Sequence, residues 1–376
     1  MKIWTYANTN MVDVGEIVFN EGKAYSYKEV PSYKDGKFVL RNDSSTEFDV
    51  KVHLDHDLKF FHKADSKISG SNVPDVSVAT GTIYLRCDKG NPGEVFDSIE
   101  FNTKGNIIGM ASNVTFDNLC IMYGGSHGIG GGTTNNITVQ NCVLGWIGGS
   151  IQTYNFRGTT GGAVTRFGNG VEIYGGCDNY NILNCYVYQN YDAGITHQFG
   201  NGTNDVVMNN ITYKGNLIED CVYNIEYFLG KVDSGNGRRD GKNHLFEDNI
   251  LRRAGYGFGS TRPDGHCQAH IKSWGSKNSF ENYVVRNNIF DRSVQYLLHI
   301  GADYAAYLPK MEGNVYIQGY RNDLARFGVG DGNLYAQNIS SKSVLKNTIK
   351  DETGELYTVE NIPYYSFAEV YKTFEF

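Results

Sequence analysis

The chain has 376 residues, 40% of them hydrophobic, and a formal net charge of −7, so it can bury a sizeable core and by length is one long domain or two. Its 45 glycines against 6 prolines, with many Asn and 27 Tyr, point to short strands and tight turns rather than helices, and the glycines lack the three-residue period of collagen. The acidic balance lacks the basic footprint of a nucleic-acid binder, and no apolar stretch approaches the roughly 18 to 20 residues of a membrane span, so neither nucleic acid nor membrane is an expected partner.

The chain does not open with a charged segment and an apolar run, as expected of a cytoplasmic protein or of a secreted form lacking its signal. Residues 1–100 alternate apolar and polar side chains between turn signals such as KDGK and NDSS, which predicts an antiparallel β region. Within it, GTIYLRCDKGNP (81–92) reads as a hairpin strand and FDSIEF (96–101) as the join to the repeats beyond residue 100.

From 101 to 345 one pattern recurs: an apolar run, an Asn or Asp beside Cys or Asn, then a second apolar pair. It reads NVTFDNLCIMY (113–123), NITVQNCVLGW (136–146), YNILNCYVY (180–188), GNLIEDCVY (215–223), HLFEDNILR (244–252) and YVVRNNIFD (283–291). A fixed rung with variable insertions is the signature of a solenoid, here an all-β, right-handed parallel β-helix. Asn118, Asn141, Asn184, Asp220, Asn249 and Asn288 are expected at equivalent turns, where Asn tolerates left-handed geometry and its amide bonds to adjacent rungs. Cys120, Cys142, Cys185 and Cys221 are expected to stack beside those turns as small buried hydrophobes. With Cys87, Cys177 and Cys267 they form no CxxC or zinc-type cluster, so no metal site is expected of them. Residues 346–376, ending in YSFAEVYKTFEF (365–376), are expected to cap the last rung, because an open parallel edge invites aggregation.

After each turn comes a second strand: GIGGG (128–132), GVEIYGG (170–176), GITHQF (194–199), NIEYFLG (224–230), AHIKSWG (269–275) and YLLHIG (296–301). GIGGG is no phosphate loop, since no helix or Lys-Ser/Thr pair follows. The segments predict one sheet, with Val171, Ile173, Ile195, Ile225, Ile271, Leu298 and Ile300 inward, and Glu172, Tyr174, Thr196, Gln198, Glu226, Phe228, His270, Lys272 and His299 outward. Asp192 sits at the mouth of the middle rung, within reach of either glutamate. Glycoside hydrolysis needs two carboxyl groups, about 5 to 5.5 Å apart for retention or about 6.5 to 9.5 Å for inversion. Asp192 with Glu172, or Asp192 with Glu226, is therefore a candidate catalytic pair, in which crowding of like charge raises one pKa and leaves the other group ionised.

Around these, His127, His270 and His299 are candidates to orient sugar hydroxyls or to carry protons; alternation puts His197 inward, which ranks it below His270. Arg166 and Lys272 are the nearest cations, suited to neutralising a uronate. Trp146, Trp274, Tyr174, Tyr227 and Phe228 offer flat surfaces for sugar rings.

The stretch from about 81 to 301, through GTIYLRCDKGNP, NGVEIYGG and YVYQNYDAGITHQ, resembles the right-handed parallel β-helix carbohydrate-active enzymes of the pectate-lyase-like superfamily. The nearest likeness is to bacterial glycoside hydrolases of the β-xylosidase and fucosidase/xylanase types. The resemblance implies an acidic pair on or beside the outward sheet, which here matches Glu172, Asp192 and Glu226; the paired aspartates of the polygalacturonase type are missing. The expected function is hydrolysis of a plant or microbial glycan without a cofactor. The alternatives are a polysaccharide lyase, in which Lys272, Arg166 or a His takes the C5 proton and calcium neutralises the carboxylate, and a non-catalytic glycan-binding or tail-fibre module.

Overall fold

The computed structural model describes the chain except residues 9–11, 72, 78–79, 154–164, 201, 231–237, 263–267, 274–278, 303–306, 320–324, 330–336, 340–350, 352 and 360–376. Beyond residue 107 the described strands form the short antiparallel pair Ile151–Thr153 with Thr165–Arg166 and three long sheets of nine, seven and eight strands, in which each strand pairs with its counterpart one turn of the chain later. All of these pairings are parallel except the last of the nine-stranded sheet, Ala325–Val329 with Gln337–Ile339. This is the parallel β-helix. The chain visits the seven-, eight- and nine-stranded sheets in that order and repeats, as in Val114–Asp117, Cys120–Met122 and Ile129–Gly131.

The corners between sheets are made by single residues in the left-handed region. Asn118, Asn141, Asn184, Gly215, Asp248, Asn287 and Gly313 form one column, with φ between 52° and 70°. Tyr123, Trp146, Gln189, Asp220, Arg253 and Arg292 form a second, with φ between 47° and 65°. Asp220 therefore belongs to a different corner from the one the repeat suggested, because the pairing of Leu217–Glu219 with Tyr186–Tyr188 puts Gly215 opposite Asn184. Asn249 and Asn288 each stand one residue beyond the first column and point inward instead.

That inward position carries the main polar device of the core. Asn216, Asn249, Asn288 and Asn314 stack on successive rungs, each at most 1% exposed. Asn249 Oδ1 accepts from the backbone N–H of Asn216 at 3.0 Å and from its Nδ2 at 2.9 Å, while Asn249 Nδ2 donates to the Tyr213 carbonyl at 2.9 Å. The next rung repeats the motif with Asn288, and the series ends where Asn314 Nδ2 donates to Asp351. Buried amides of this kind are fully used, which is why the register they impose is stiff. In the other direction the ladder continues as Cys185, whose N–H donates to Asn216 Oδ1, and Cys142. Cys120 and Cys221 are not part of this stack: Cys120 is exposed and pairs with Val143, and Cys221 is buried at the second corner.

Residues 3–103 form the expected β region, largely antiparallel. Gly81–Arg86 lies between Ile3–Asn8 and Lys59–Ala64, and the strand Ile99–Thr103 pairs with Val14–Phe19 before a bridge from Thr103 to Gly124 joins the region to the first coil. A buried ionic cluster ties the two parts together. Asp13 accepts from Lys28 Nζ at 2.7 and 2.8 Å, from the Ile151 N–H at 2.5 Å, and stands 3.2 Å from His62 Nδ1. Burial alone would raise its pKa, but Lys28 and His62 outweigh this and hold it down to about 2. At the far end, Glu355–Val359 extends the eight-stranded sheet; residues 365–376, expected to cap it, lie outside the described residues.

Replacing Asn249 by Ala strands its partners in an apolar interior and is expected to destabilise the protein by about 3 kcal/mol. The same change at Asn243, whose exposed amide donates to Asn210 and accepts from Asn282, should cost about 1 kcal/mol. Urea unfolding of the two variants checks the difference.

Candidate functional site

The nine-stranded sheet carries the acidic candidates Glu172 and Glu226. Its strands Ile129–Gly131, Val171–Tyr174, Ala193–Phe199, Tyr223–Leu229, Ala269–Ser273 and Tyr296–Ala302 are neighbours in that order. Val171, Ile195, Ile225, Ile271 and Leu298 fill the core, so the residue after each faces out. The register then writes one outward column: Glu172, Thr196, Glu226, Lys272, His299. Tyr174, Gln198 and Phe228 form a second outward column beside it. The first column is withdrawn from solvent: Glu172 is 7% exposed, Glu226 4%, and the other three 0%.

Glu172 is held by two side chains at one carboxylate oxygen. His127 Nδ1 lies 2.8 Å from its Oε2, and Asn169 Nδ2 donates to the same oxygen at 2.6 Å. Asn169 is itself fixed, because its Oδ1 accepts from the Ala193 N–H at 2.9 Å. Burial pushes the Glu172 carboxyl up, but the His127 charge and these two hydrogen bonds together outweigh it and leave the pKa below its ordinary value. Glu172 is thus an ionised, oriented carboxylate. Glu226 stands two rungs further on, about 10 Å away at the backbone, with Thr196 between them. On the next two rungs Lys272 Nζ and His299 Nδ1 are hydrogen-bonded to each other.

Asp192 precedes the Ala193–Phe199 strand at the corner and forms an ion pair with Arg262, which arrives from a loop 70 residues later and lies over the Tyr223 ring. It is partly open to solvent, at the edge of the column rather than within it. Asn169 and Arg262 were not among the residues expected from the sequence. Asn169 was visible as the Asn three residues before Glu172 in NGVE, whereas nothing near Arg262 in sequence marks it.

Four expectations change, the first being that Tyr227 offers a face to sugar: it is buried in the core against His197 and Phe280. His270 does not face outward: the strand bends at the corner so that two successive residues turn in. Its Nδ1 lies 2.9 Å from Asn224 Nδ2 and its ring 6.0 Å from that of Phe290 in the core. Burial pushes its pKa down to about 3, which suits a neutral structural ring. Arg166 is not on this face either. It is 5% exposed, donating to the carbonyls of Gly149 at 2.6 Å and Gly15 at 3.1 Å with its guanidinium 3.9 Å from the Tyr191 ring, so it clamps the N-terminal region to the coil. Trp146 likewise packs against Phe258 and Tyr25 at that junction.

His197 is interior, as alternation requires, with Nδ1 2.7 Å from the Tyr213 hydroxyl and its ring stacked on His244 and Tyr227. Tyr174 is exposed and its hydroxyl accepts from the Gly200 N–H at 3.1 Å. Trp274 lies outside the described residues. Among the described residues no group of three or more His, Cys, Asp or Glu gathers as a metal site.

The interior imidazoles make the coil acid-sensitive. His244 and His270 are both pushed by burial from 6.5 down to about 3, so between these values the unfolded chain binds protons that the folded chain refuses. Their contribution is full above pH 6.5 and is lost as pH falls toward about 3. The urea midpoint should therefore drop between pH 7 and pH 4.5, and His244→Phe should flatten that drop.

No family model matches this chain, and neither the curated proteins nor the solved structures compared with it give a match.

Proposed function

We propose that the chain is a glycoside hydrolase acting on a plant or microbial glycan, of the kind its sequence resembles. The observation that carries this reading is the placement of Glu172 and Glu226 in one outward column, two rungs apart across Thr196. A backbone separation of about 10 Å lies near the upper end of the roughly 6.5 to 9.5 Å that separates the carboxyl groups in inverting hydrolysis. Glu172, ionised and aimed by Asn169 and His127, is the base that activates water. Glu226 is the proton donor to the departing sugar. Asp192, held by Arg262 at the edge, binds a sugar hydroxyl rather than reacting.

A lyase is the second reading. Lys272 lies in the same buried column beside Glu226, hydrogen-bonded to His299, and such a pair suits abstraction of a proton next to a uronate carboxylate.

The purified protein incubated with a panel of neutral and uronic-acid glycans separates them. Hydrolysis yields new reducing ends without ultraviolet absorbance, whereas a lyase yields unsaturated products that absorb. Glu172→Gln is expected to lower turnover by about 10² to 10⁴-fold with unchanged circular dichroism; retention of full activity would sink the assignment, and binding without turnover of any glycan would leave a recognition module. Because His127 lowers the Glu172 pKa, the acid limb of kcat/KM against pH should lie below 4.5 and move upward in His127→Gln.

A further inference from the structure

A cleft lined by aromatic side chains lies in the N-terminal region, away from the outward column. The outer face of the sheet formed by Ile3–Asn8, Gly81–Arg86 and Lys59–Ala64 carries Phe61 opposite Tyr84, while their neighbours Phe60, Ile83 and Leu85 fill the core beneath. The Phe61 and Tyr84 rings stack at 6.4 Å with 16° between their planes. Phe38, from the hairpin strand Lys37–Val39, and Phe48 meet Phe61 edge-on, with centroids at 5.2 and 5.0 Å. Together they wall an open cleft of about 840 Å³. Phe61 is buried as its floor, but Phe38, Phe48 and Tyr84 each keep part of their surface open to solvent.

The polar lining identifies the ligand class. Three lysines (Lys37, Lys63, Lys67) face three acids (Glu47, Asp49, Asp65), so the rim has no net charge to attract an ion of either sign. Lys37 and Glu47 satisfy each other at 3.0 Å, and Asp49 caps the short helix Val50–His53 through the Lys51 N–H. Lys63, Asp65 and Lys67 are exposed and, among the described residues, have no ion-pair partner. Aromatic faces supply apolar contact to the C–H side of a sugar ring, and unpaired donors and acceptors of both signs supply hydroxyl partners.

We infer that this cleft binds the pyranose rings of a neutral oligosaccharide, through Tyr84, Phe38 and Phe48 as platforms and Lys63, Asp65 and Lys67 as hydroxyl partners. The inference does not rest on the hydrolase reading, since binding here needs no turnover. It gives the chain a hold on glycan separate from the outward column.

Calorimetric titration of the whole chain with xylotetraose, cellotetraose and tetragalacturonate tests it. Glu172→Gln serves as the background that prevents consumption of the probe. At least one neutral tetrasaccharide should bind, more tightly than tetragalacturonate. Tyr84→Ala and Phe48→Ala should each weaken that binding about tenfold, the loss of one stacking contact, with melting temperatures used to select folded variants. Tyr84→Phe, which keeps the ring, should restore it. The inference fails if no neutral probe binds, if tetragalacturonate binds as well as the neutral sugars, or if Glu226→Gln abolishes binding while folded Tyr84→Ala and Phe48→Ala leave it unchanged. That last result would place all the sugar in the column and leave the hydrolase reading intact.

Discussion

The fold depends on one repeated contact, the buried amide that reaches from rung to rung between Asn216 and Asn314. An Asn side chain placed just inside a left-handed corner presents an acceptor to one neighbour and donors to another, and a parallel stack offers both at a spacing of about 4.8 Å. Asn216, Asn249, Asn288 and Asn314 use this capacity in succession, ending on the Asp351 carboxylate. A slip of one residue would turn every apolar side chain of that rung outward and also break the series, so apolar packing and amide pairing enforce the same register. The outward column of Glu172, Thr196, Glu226, Lys272 and His299 is a by-product of that enforcement: five residues spread over 128 positions of sequence become neighbours because the core is aligned.

Much of this architecture is legible in the sequence, because strands obey a period of two and the rung pattern recurs. The six segments assigned to one sheet are adjacent strands of it, and the split between Val171 or Ile225 inside and Glu172 or Glu226 outside follows from alternation alone. Corners are where reading fails. A left-handed residue resets the alternation, and nothing in GNLIEDCVY says whether Asn216 or Asp220 occupies the position equivalent to its neighbours. The strand pairing puts Gly215 at that corner with Asn216 just inside it, which moves Asp220 and Cys221 to another corner. His270 fails at a bend of another kind, where two successive side chains turn inward.

The polar groups of the site divide by the kind of partner they have. Glu172 has its shell close in sequence and on the adjacent rung, so its surroundings follow from the fold. Asp192 depends on Arg262, brought by an excursion between rungs, and such excursions leave no periodic trace. Arg166 shows the converse. A cation near the right stretch of sequence turns out to seal the N-terminal region to the coil, its guanidinium spread over Tyr191 and bound to two backbone carbonyls. Proximity in sequence identifies residues on the same strand, but a side chain at the end of a loop is free to serve either wall.

The exposed ladder of Asn113, Asn136 and Asn179 has a bearing on how such a molecule changes over time. Consecutive amides meet at 2.7 and 2.8 Å, although 23 residues separate the first pair and 43 the second. Contour length and vertical rise are thus decoupled: a coil can lengthen its excursion by 20 residues without displacing the coils above or below. Lineages carrying this scaffold are free to remodel the connections between coils by insertion and deletion while the outward column of Glu172, Thr196 and Glu226 stays in place.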